Sequence, residues 1–184
     1  AALFRMKWRN PFHGLIESSF LFLANHLPRL KAFDRYRYIV LRLAGMKIKS
    51  RTKIWAPVTV RPIGGCPNIT IGSRTFINSE VRFAAPSSSI TIGDDVAIGP
   101  RCSFETVSHG LLYEAGVGRG TFTKPIVVED EVWICAGVII LPGVTVGRGA
   151  VIAAGSVVTS DVNPLCLYGG SPAKLIRELE NDIK

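Results

Sequence analysis

Residues 128–163 read VEDEVW ICAGVI ILPGVT VGRGAV IAAGSV VTSDVN and repeat every six positions. The first position of each hexad is Val or Ile, and the fifth is small or β-branched. Neither an α-helix nor an ordinary strand has a period of six. A parallel β-helix does, because each hexad forms one short strand and one turn, and three hexads close a triangular coil. The repeat therefore predicts an all-β chain built as a parallel β-helix.

The same phase extends toward the N-terminus, which predicts the β-helix over residues 48–168. The first positions there are Ile48, Ile54, Val60, Ile71, Ile77, Phe83, Ile92, Ile98 and Phe104. We expect these side chains to point into the coil and to stack on their counterparts one coil away. Glycine recurs at the second position, where we expect it to allow a tight corner, often at positive φ. These glycines are Gly72, Gly93, Gly99 and Gly147.

Three interruptions break the phase, at residues 64–68, 86–89 and 110–127. In the third, Gly110, Gly116 and Phe122 occupy the inward positions, so the pattern is lost. We expect residues 110–124 to form a loop that leaves the coil, with Pro125 marking the return. An insertion of this size in a rigid solenoid is usually functional.

The two ends of the chain differ from the coil. Residues 12–45 have helical periodicity with a break at Pro28, and Gly45 is a plausible helix stop. Residues 1–47 are therefore predicted to form a basic helical N-terminal arm. Ser171 and Pro172 suit the cap and first turn of a helix, which predicts a short C-terminal helix within residues 169–184.

The chain has 184 residues and a formal charge of +8, and this charge is unevenly distributed. Residues 1–53 hold 12 Lys and Arg against two acidic residues, a net +10, whereas the remaining 10 basic and 12 acidic residues give −2. A nucleic-acid partner is not expected, because the arm has neither a readout motif nor repeated aromatic platforms. The longest apolar stretch is too short and too polar to span a bilayer, and no signal peptide is evident.

The four cysteines form no CxxC pair and have no histidine at metal-ligand spacing, so we expect reduced thiols in a cytoplasmic protein and no metal site. A γ-class carbonic anhydrase on the same fold needs three converging histidines, and residues 54–184 contain only His109.

The coil resembles the hexapeptide-repeat acyltransferases, in particular the sugar O-acetyltransferases that act on galactosides, maltose, colanic acid and lipopolysaccharide. The matching segments are ITIGSRTFIN (69–78), ITIGDDVAIGPRCSFETVSHG (90–110), KPIVVEDEVWICAGVIILPGVTVGRGAVIAAGSVVTSDV (124–162) and GGSPAKLIRE (169–178). The resemblance implies a left-handed coil, a homotrimer, acetyl-CoA as co-substrate and direct acetyl transfer to a sugar hydroxyl of a surface polysaccharide or its precursor.

His109 matches the catalytic histidine of this family, and imidazole titrates near working pH, as a general base must. Asn78 matches the acceptor-site asparagine, although a ladder asparagine at a turn corner is an equally good interpretation. The resemblance places Trp133 near the acceptor, with an aromatic packed on the trimer face as the alternative. Either Glu105 or Glu114 is positioned in the sequence to orient the imidazole.

The resemblance also implies the residues that hold the carrier. Ala136 matches the position whose amide meets the thioester oxygen, and Ala154 follows it by 18 residues, so we expect the two to stack on adjacent coils. Thr159 is expected to extend this groove. Lys174 and Arg177, on one face of the predicted helix, match the residues that receive the coenzyme A phosphates.

One residue departs from the family pattern. Cys135 stands where the family usually has glycine, which leaves open whether its thiol narrows the groove or turns inward. Under direct transfer it is not a nucleophile.

Two other functions remain open, N-acetylation of an amino sugar nucleotide and a non-catalytic β-helix scaffold. The basic arm is expected to cap the open end of the coil, and it is also a candidate for peripheral contact with an anionic membrane. That contact would place the protein at the inner face of the cytoplasmic membrane.

Overall fold

The computed structural model describes residues 11–179. The chain begins with two α-helices, α1 (Pro11–His26) and α2 (Lys31–Leu43), and continues almost entirely in short strands. In chain order the strands are β1 (Lys47–Ile48), β2 (Lys53–Ile54), β3 (Val58–Arg61), β4 (Ile69–Ile71), β5 (Phe76–Ile77), β6 (Val81–Ala84), β7 (Ile90–Ile92), β8 (Ala97–Ile98), β9 (Ser103–Glu105), β10 (Val107–His109), β11 (Thr121–Thr123), β12 (Ile126–Val128), β13 (Trp133–Ile134), β14 (Ile139–Ile140), β15 (Thr145–Val146), β16 (Val151–Ile152), β17 (Val157–Val158), β18 (Cys166–Gly170) and β19 (Ala173–Glu178). A 3₁₀ turn, Cys66–Asn68, lies in the first interruption of the repeat.

These strands form a parallel β-helix with three flat sheets, as the six-residue repeat predicted. The first sheet contains β1, β4, β7, β12 and β15, and the third contains β3, β6, β9, β14 and β17. The second sheet contains β2, β5, β8, β13 and β16, and it is extended by β18 and β19. Each coil passes through the first, second and third sheets in that order. The left hand implied by the family resemblance stays a prediction.

The core is a continuous stack of the residues at the first position of each hexad, and all 15 of them are buried. The strand register places them directly above one another, as in Ile77 on Ile98 and Ile134 on Ile152. Phe83 and Phe104 stack with their ring centroids 5.3 Å apart. The predicted inward stacking of the first-position residues is confirmed.

The second-position glycines are required for a different reason than we expected. None of Gly72, Gly93, Gly99 and Gly147 has a positive φ. Positive φ occurs instead at the fourth position of the hexad, at Gly137, Gly155 and even Arg74. A Cβ on Gly72 would lie 2.2 Å from the backbone carbonyl oxygen of Gly93 on the next coil, which is too close for any side chain. The glycines therefore permit close approach between coils.

We expect Gly72→Ala to destabilise the coil by about 1–3 kcal/mol, since the added methyl group meets rigid backbone rather than a flexible side chain. Urea unfolding followed by circular dichroism measures the change. Gly120→Ala is the matched control, because a Cβ on Gly120 meets no described atom within 4 Å. Equal stability of the two variants would contradict the close-approach explanation.

The predicted C-terminal helix is wrong for the residues that the structure describes. β18 and β19 form an antiparallel hairpin, and Ser171 and Pro172 lie in its turn. β18 pairs in parallel with β16 of the last complete coil. The open edge of that coil offers unpaired backbone groups, so pairing along the edge outweighs the local helix signals. Residues 180–184 lie outside the described part.

The two helices of the arm pack against the first coil, in agreement with the predicted capping. Asn25 makes two hydrogen bonds to Val58: its side-chain nitrogen donates to the carbonyl oxygen and its side-chain oxygen accepts from the backbone N–H. Helix α2 ends at Leu43, two residues before Gly45, whose φ is +105°. Residues 1–10 of the predicted arm are outside the described residues.

Candidate active site

The hairpin of β10 and β11 carries His109 away from the coil. It leaves the third sheet after β9 and returns to the first sheet at β12. Its register pairs His109 with Thr121, and residues 110–120 form the connecting loop. The predicted excursion of residues 110–124 is therefore partly strand, since Thr121–Thr123 is β11.

The partner of His109 is a hydroxyl group. The imidazole is exposed, and its Nδ1 lies 3.1 Å from Oγ1 of Thr121. When Nδ1 carries the proton it donates to this oxygen, and Nε2 is then the basic nitrogen. In residues 11–179 no hydrogen bond engages Nε2, so this nitrogen is available to an external hydroxyl group.

Neither predicted carboxylate orients His109. Oε1 of Glu105 accepts from Nε of Arg82 at 2.8 Å and from the Ser103 hydroxyl at 2.6 Å. Glu114 lies in the tip of the loop, where its backbone pairs with Gly118. Thr121 was not among the predicted site residues, because a carboxylate was expected to orient the imidazole. The sequence does contain a sign of this pair. The short segments VSH (107–109) and TFT (121–123) can pair as strands, and they flank a glycine-rich loop.

Of the two predicted acceptor residues, Trp133 lies on β13 of the second sheet, and Asn78 lies at the corner that follows β5 of the same sheet. The Asn78 backbone N–H donates to the Ile98 carbonyl, and its side-chain oxygen accepts from the Ser79 N–H at 2.8 Å. This is the geometry of a corner asparagine, and it leaves the side-chain NH₂ group unengaged by any group in residues 11–179. Trp133 is 54% exposed on β13. Trp133 follows Asn78 by two coils.

Ala136 and Ala154 stack on adjacent coils, as their separation predicted. The Gly155 N–H donates to the Ala136 carbonyl at 2.9 Å. The N–H groups of Ala136 and Ala154 themselves donate to no group within residues 11–179. Two unused backbone donors thus lie at one corner of the coil, one above the other. Such fixed N–H groups can donate hydrogen bonds to the oxygen of a thioester and to the amide carbonyl oxygens of a pantetheine chain.

Gly99 was not among the predicted site residues, yet it affects this corner. A Cβ on Gly99 would lie 2.6 Å from the Ala136 nitrogen, so glycine keeps that nitrogen clear.

Cys135 lies between Gly99 and Ala153 in the stack of second-position residues. Its side chain is partly exposed, and burial raises the pKa of its thiol. A raised pKa keeps the group as the unreactive thiol, which fits its exclusion as a nucleophile. The Cys135 carbonyl accepts a hydrogen bond from Sγ of Cys102 at 3.0 Å. The four cysteines, all within residues 11–179, form no disulfide with one another.

Lys174 and Arg177 lie on one face of β19, although not on the predicted helix. Lys174 pairs with Gly169 and Arg177 pairs with Leu167, two residues apart on β18. Cross-strand partners share a face, and so do residues two apart on a strand. A register shift beside Leu167 inserts one extra residue into β19 and brings the two basic side chains to the same side. Both are exposed.

A single chain does not bring all the predicted site residues together. Asn78, Ala136 and Ala154 lie at the corner between the second and third sheets. The His109 hairpin starts at the corner between the third and first sheets, with the width of the third sheet between them. Thr159 follows β17 and lies at the latter corner, so it does not extend the line of Ala136 and Ala154.

Comparisons with known proteins agree with this architecture. The model of the family described as bacterial transferase hexapeptide (six repeats) matches residues 125–160. A solved hexapeptide-repeat-containing acetyltransferase of Vibrio cholerae, in complex with acetyl coenzyme A, is 36% identical with a TM-score of 0.80. That alignment covers 92% of this chain and 88% of the other.

Two galactoside acetyltransferases are also similar. A solved structure in complex with coenzyme A has a TM-score of 0.79 and 28% identity, covering 94% of this chain and 83% of that one. The galactoside O-acetyltransferase of Escherichia coli is 35% identical over 114 residues, which are 62% of this chain and 56% of the relative. The chain thus spans just over half the length of this curated relative.

Proposed function

This chain belongs to the hexapeptide-repeat acetyltransferase family, and we propose that it transfers acetyl from acetyl-CoA to a sugar hydroxyl of a surface polysaccharide or its precursor. The observation that supports this most directly is the exposed His109 imidazole. Its Nδ1 is held by Thr121, and its Nε2 is open to an acceptor. A scaffold protein would have no need of an oriented, solvent-facing imidazole.

In the proposed reaction, bound acetyl-CoA supplies an activated acetyl thioester. Nε2 of His109 removes the proton from the acceptor hydroxyl as its oxygen forms the new bond to the carbonyl carbon. The Ala136 N–H donates to the carbonyl oxygen, where negative charge develops. The C–S bond then breaks, and His109 returns the proton to the departing sulfur. The products are an O-acetyl sugar and the free thiol of coenzyme A.

The unused amides of Ala136 and Ala154 suit the carrier, because a pantetheine chain has amide groups that hydrogen-bond to fixed backbone donors. Lys174 and Arg177 supply positive charge for its phosphates on one face of β19. Asn78 and Trp133 are proposed to contact the acceptor.

We propose a homotrimer for a reason of geometry. His109 and the Ala136 amide lie at different corners of the coil, so one chain alone leaves the site incomplete. A threefold arrangement can place the His109 hairpin of one copy against the Ala136 corner of the next. Light scattering should then give about three times the 20.0 kDa of one chain.

The function is tested by thiol release from acetyl-CoA with a panel of galactosides, maltose, oligosaccharides and amino sugar nucleotides. We expect thiol release that depends on a hydroxyl acceptor. The product should be an ester, from which alkaline hydroxylamine removes the acetyl group. A hydroxylamine-resistant product formed only with amino sugars would support the alternative, N-acetylation. Binding of acetyl-CoA without transfer to any acceptor would favour the scaffold.

A further inference from the structure

Helix α1 exposes a large apolar surface on the side that faces away from the coil. Its inward side is formed by Glu17, Leu21 and Ala24, all of which are buried. At 100° per residue, the opposite side is centred on Leu15 and Phe22, which are 64% and 63% exposed. The apolar side chains exposed along α1 are Phe12, Leu15, Ile16, Phe22 and Leu23. A helix that is apolar on both sides is typical of one that contacts protein or lipid on both sides.

Helix α2 repeats this arrangement with a row of cations beside it. Its buried residues are Asp34, Arg37 and Leu41. Its outward side presents Tyr36, Ile39 and Leu43, all exposed. On one flank of this stripe lie three exposed basic residues, Lys31, Arg35 and Arg42. We call the outward sides of α1 and α2 together the outer face of the arm.

The exposed charge of the arm and of the strands that follow it has one sign, and only Lys49 in this segment is paired with a carboxylate of the coil, Asp94, at 3.2 Å. In the segment from residue 11 to residue 53, eight basic residues are exposed: Arg29, Lys31, Arg35, Arg42, Lys47, Lys49, Arg51 and Lys53. The two acidic residues of that segment, Glu17 and Asp34, are both buried. A surface that binds the outer face must therefore offer an apolar interior to the exposed apolar side chains and negative charge to the cations beside them.

We propose that the outer face binds the surface of an anionic lipid bilayer. The exposed apolar side chains enter the interface between headgroups and acyl chains, and the flanking cations meet lipid phosphates. None of the helices within residues 11–179 is long and apolar enough to cross a membrane, so α1 and α2 lie along the surface. Pairing of two outer faces with each other is disfavoured, because it would bring like charges together.

The full-length protein is tested by sedimentation with two kinds of vesicle, one of phosphatidylcholine alone and one with about one phosphatidylglycerol in three. We expect binding to the anionic vesicles at low salt. Raising the salt to about 0.5 M should release most of the protein, since the charge attraction is then screened. Neutral vesicles should retain little of it.

Two variants, each with its control, separate the contribution of the apolar side chains to vesicle binding from that of the positive charge. Leu15→Ser/Phe22→Ser should weaken binding to anionic vesicles by at least about tenfold. Its control is Leu111→Ser/Leu112→Ser in the loop, where the side chains are 91% and 87% exposed and binding should not change. Arg35→Gln/Arg42→Gln should weaken binding by about 30-fold, roughly fivefold for each charge. The control Arg74→Gln/Arg148→Gln removes the same charge from the coil and should leave binding intact.

Three results would each overturn the proposal. One is absence of sedimentation with anionic vesicles at low salt. Another is equal loss of binding in the arm and control variants, because this would indicate unspecific adsorption of a basic protein. The third is a change in the oligomeric state of the Leu15→Ser/Phe22→Ser protein with unchanged vesicle binding, because the outer face would then be an interface between copies. None of these results depends on catalytic activity.

Discussion

His109→Ala should reduce kcat for acetyl transfer by about 10²–10⁴-fold, with little change in the affinity for acetyl-CoA. The loss follows from the removal of the group that takes the acceptor proton, while Ala136, Ala154 and the basic pair on β19 remain. Steady-state thiol release gives kcat, and calorimetric titration gives the affinity for the carrier. Undiminished turnover would refute the assignment of the base.

The matched variants act on Thr121. Thr121→Val keeps the shape of the side chain but removes the oxygen that lies 3.1 Å from Nδ1 of His109. We expect a smaller loss of kcat than for His109→Ala, because the imidazole remains but its orientation and tautomer are less restricted. Thr121→Ser should restore most of the activity. If Thr121→Val and Thr121→Ser lose activity equally, the hydroxyl has no positioning role.

A mixing experiment tests whether the site is shared between copies. His109→Ala and Ala136→Phe should each be inactive as separate trimers. If they are unfolded and refolded together, about a quarter of the sites should combine an intact His109 from one copy with an intact Ala136 corner from its neighbour. Recovery of no activity would place both residues in the site of one chain.

The coil was predictable because the constraint that forms it is local and repeated. Each first-position Ile, Val or Phe meets another apolar first-position residue one coil away, so the period of six directly encodes the stack. The sequence also placed Ala136 beneath Ala154 correctly, since positions in register on a regular coil follow from counting.

The C-terminal hairpin could not be read from the sequence in the same way. The segment around Ser171 and Pro172 has the local signals of a helix start. The competing interaction is pairing with β16, a strand that lies at the open end of the coil. That edge exists only once the coil has formed, so tertiary pairing overrides the local preference. The shared face of Lys174 and Arg177 was predicted from a helix and arises from a bulge.

The burial of one arginine in the arm could not be predicted from the distribution of charge in the sequence. Arg37 is one of the basic residues that make the arm strongly positive, and the sequence does not set it apart from its neighbours. In the structure it is 0% exposed and lies between α1, α2 and the coil. Its Nε donates to the Ile54 carbonyl at 3.2 Å, and its two terminal nitrogens donate to Ala24, Pro28 and Asp34.

Arg37→Met should lower the free energy of unfolding by about 3–5 kcal/mol. The loss follows because methionine fills much of the volume but leaves the Asp34 carboxylate and the Ala24 and Ile54 carbonyls buried without their donor. Urea denaturation measures the loss, and limited proteolysis should cut the arm of the variant before the coil unfolds. Arg42→Met on the exposed side of the same helix is the control and should change stability by less than about 0.5 kcal/mol.

A double variant separates the cost of an unpaired charge from the loss of packing. Asp34→Leu/Arg37→Met removes both ionic groups, so it should be more stable than Arg37→Met alone. If all three variants are as stable as the parent protein, Arg37 does not fasten the arm to the coil. If only Arg37→Met is destabilised, the arm is held by its apolar contacts, and Arg37 is required chiefly to neutralise Asp34.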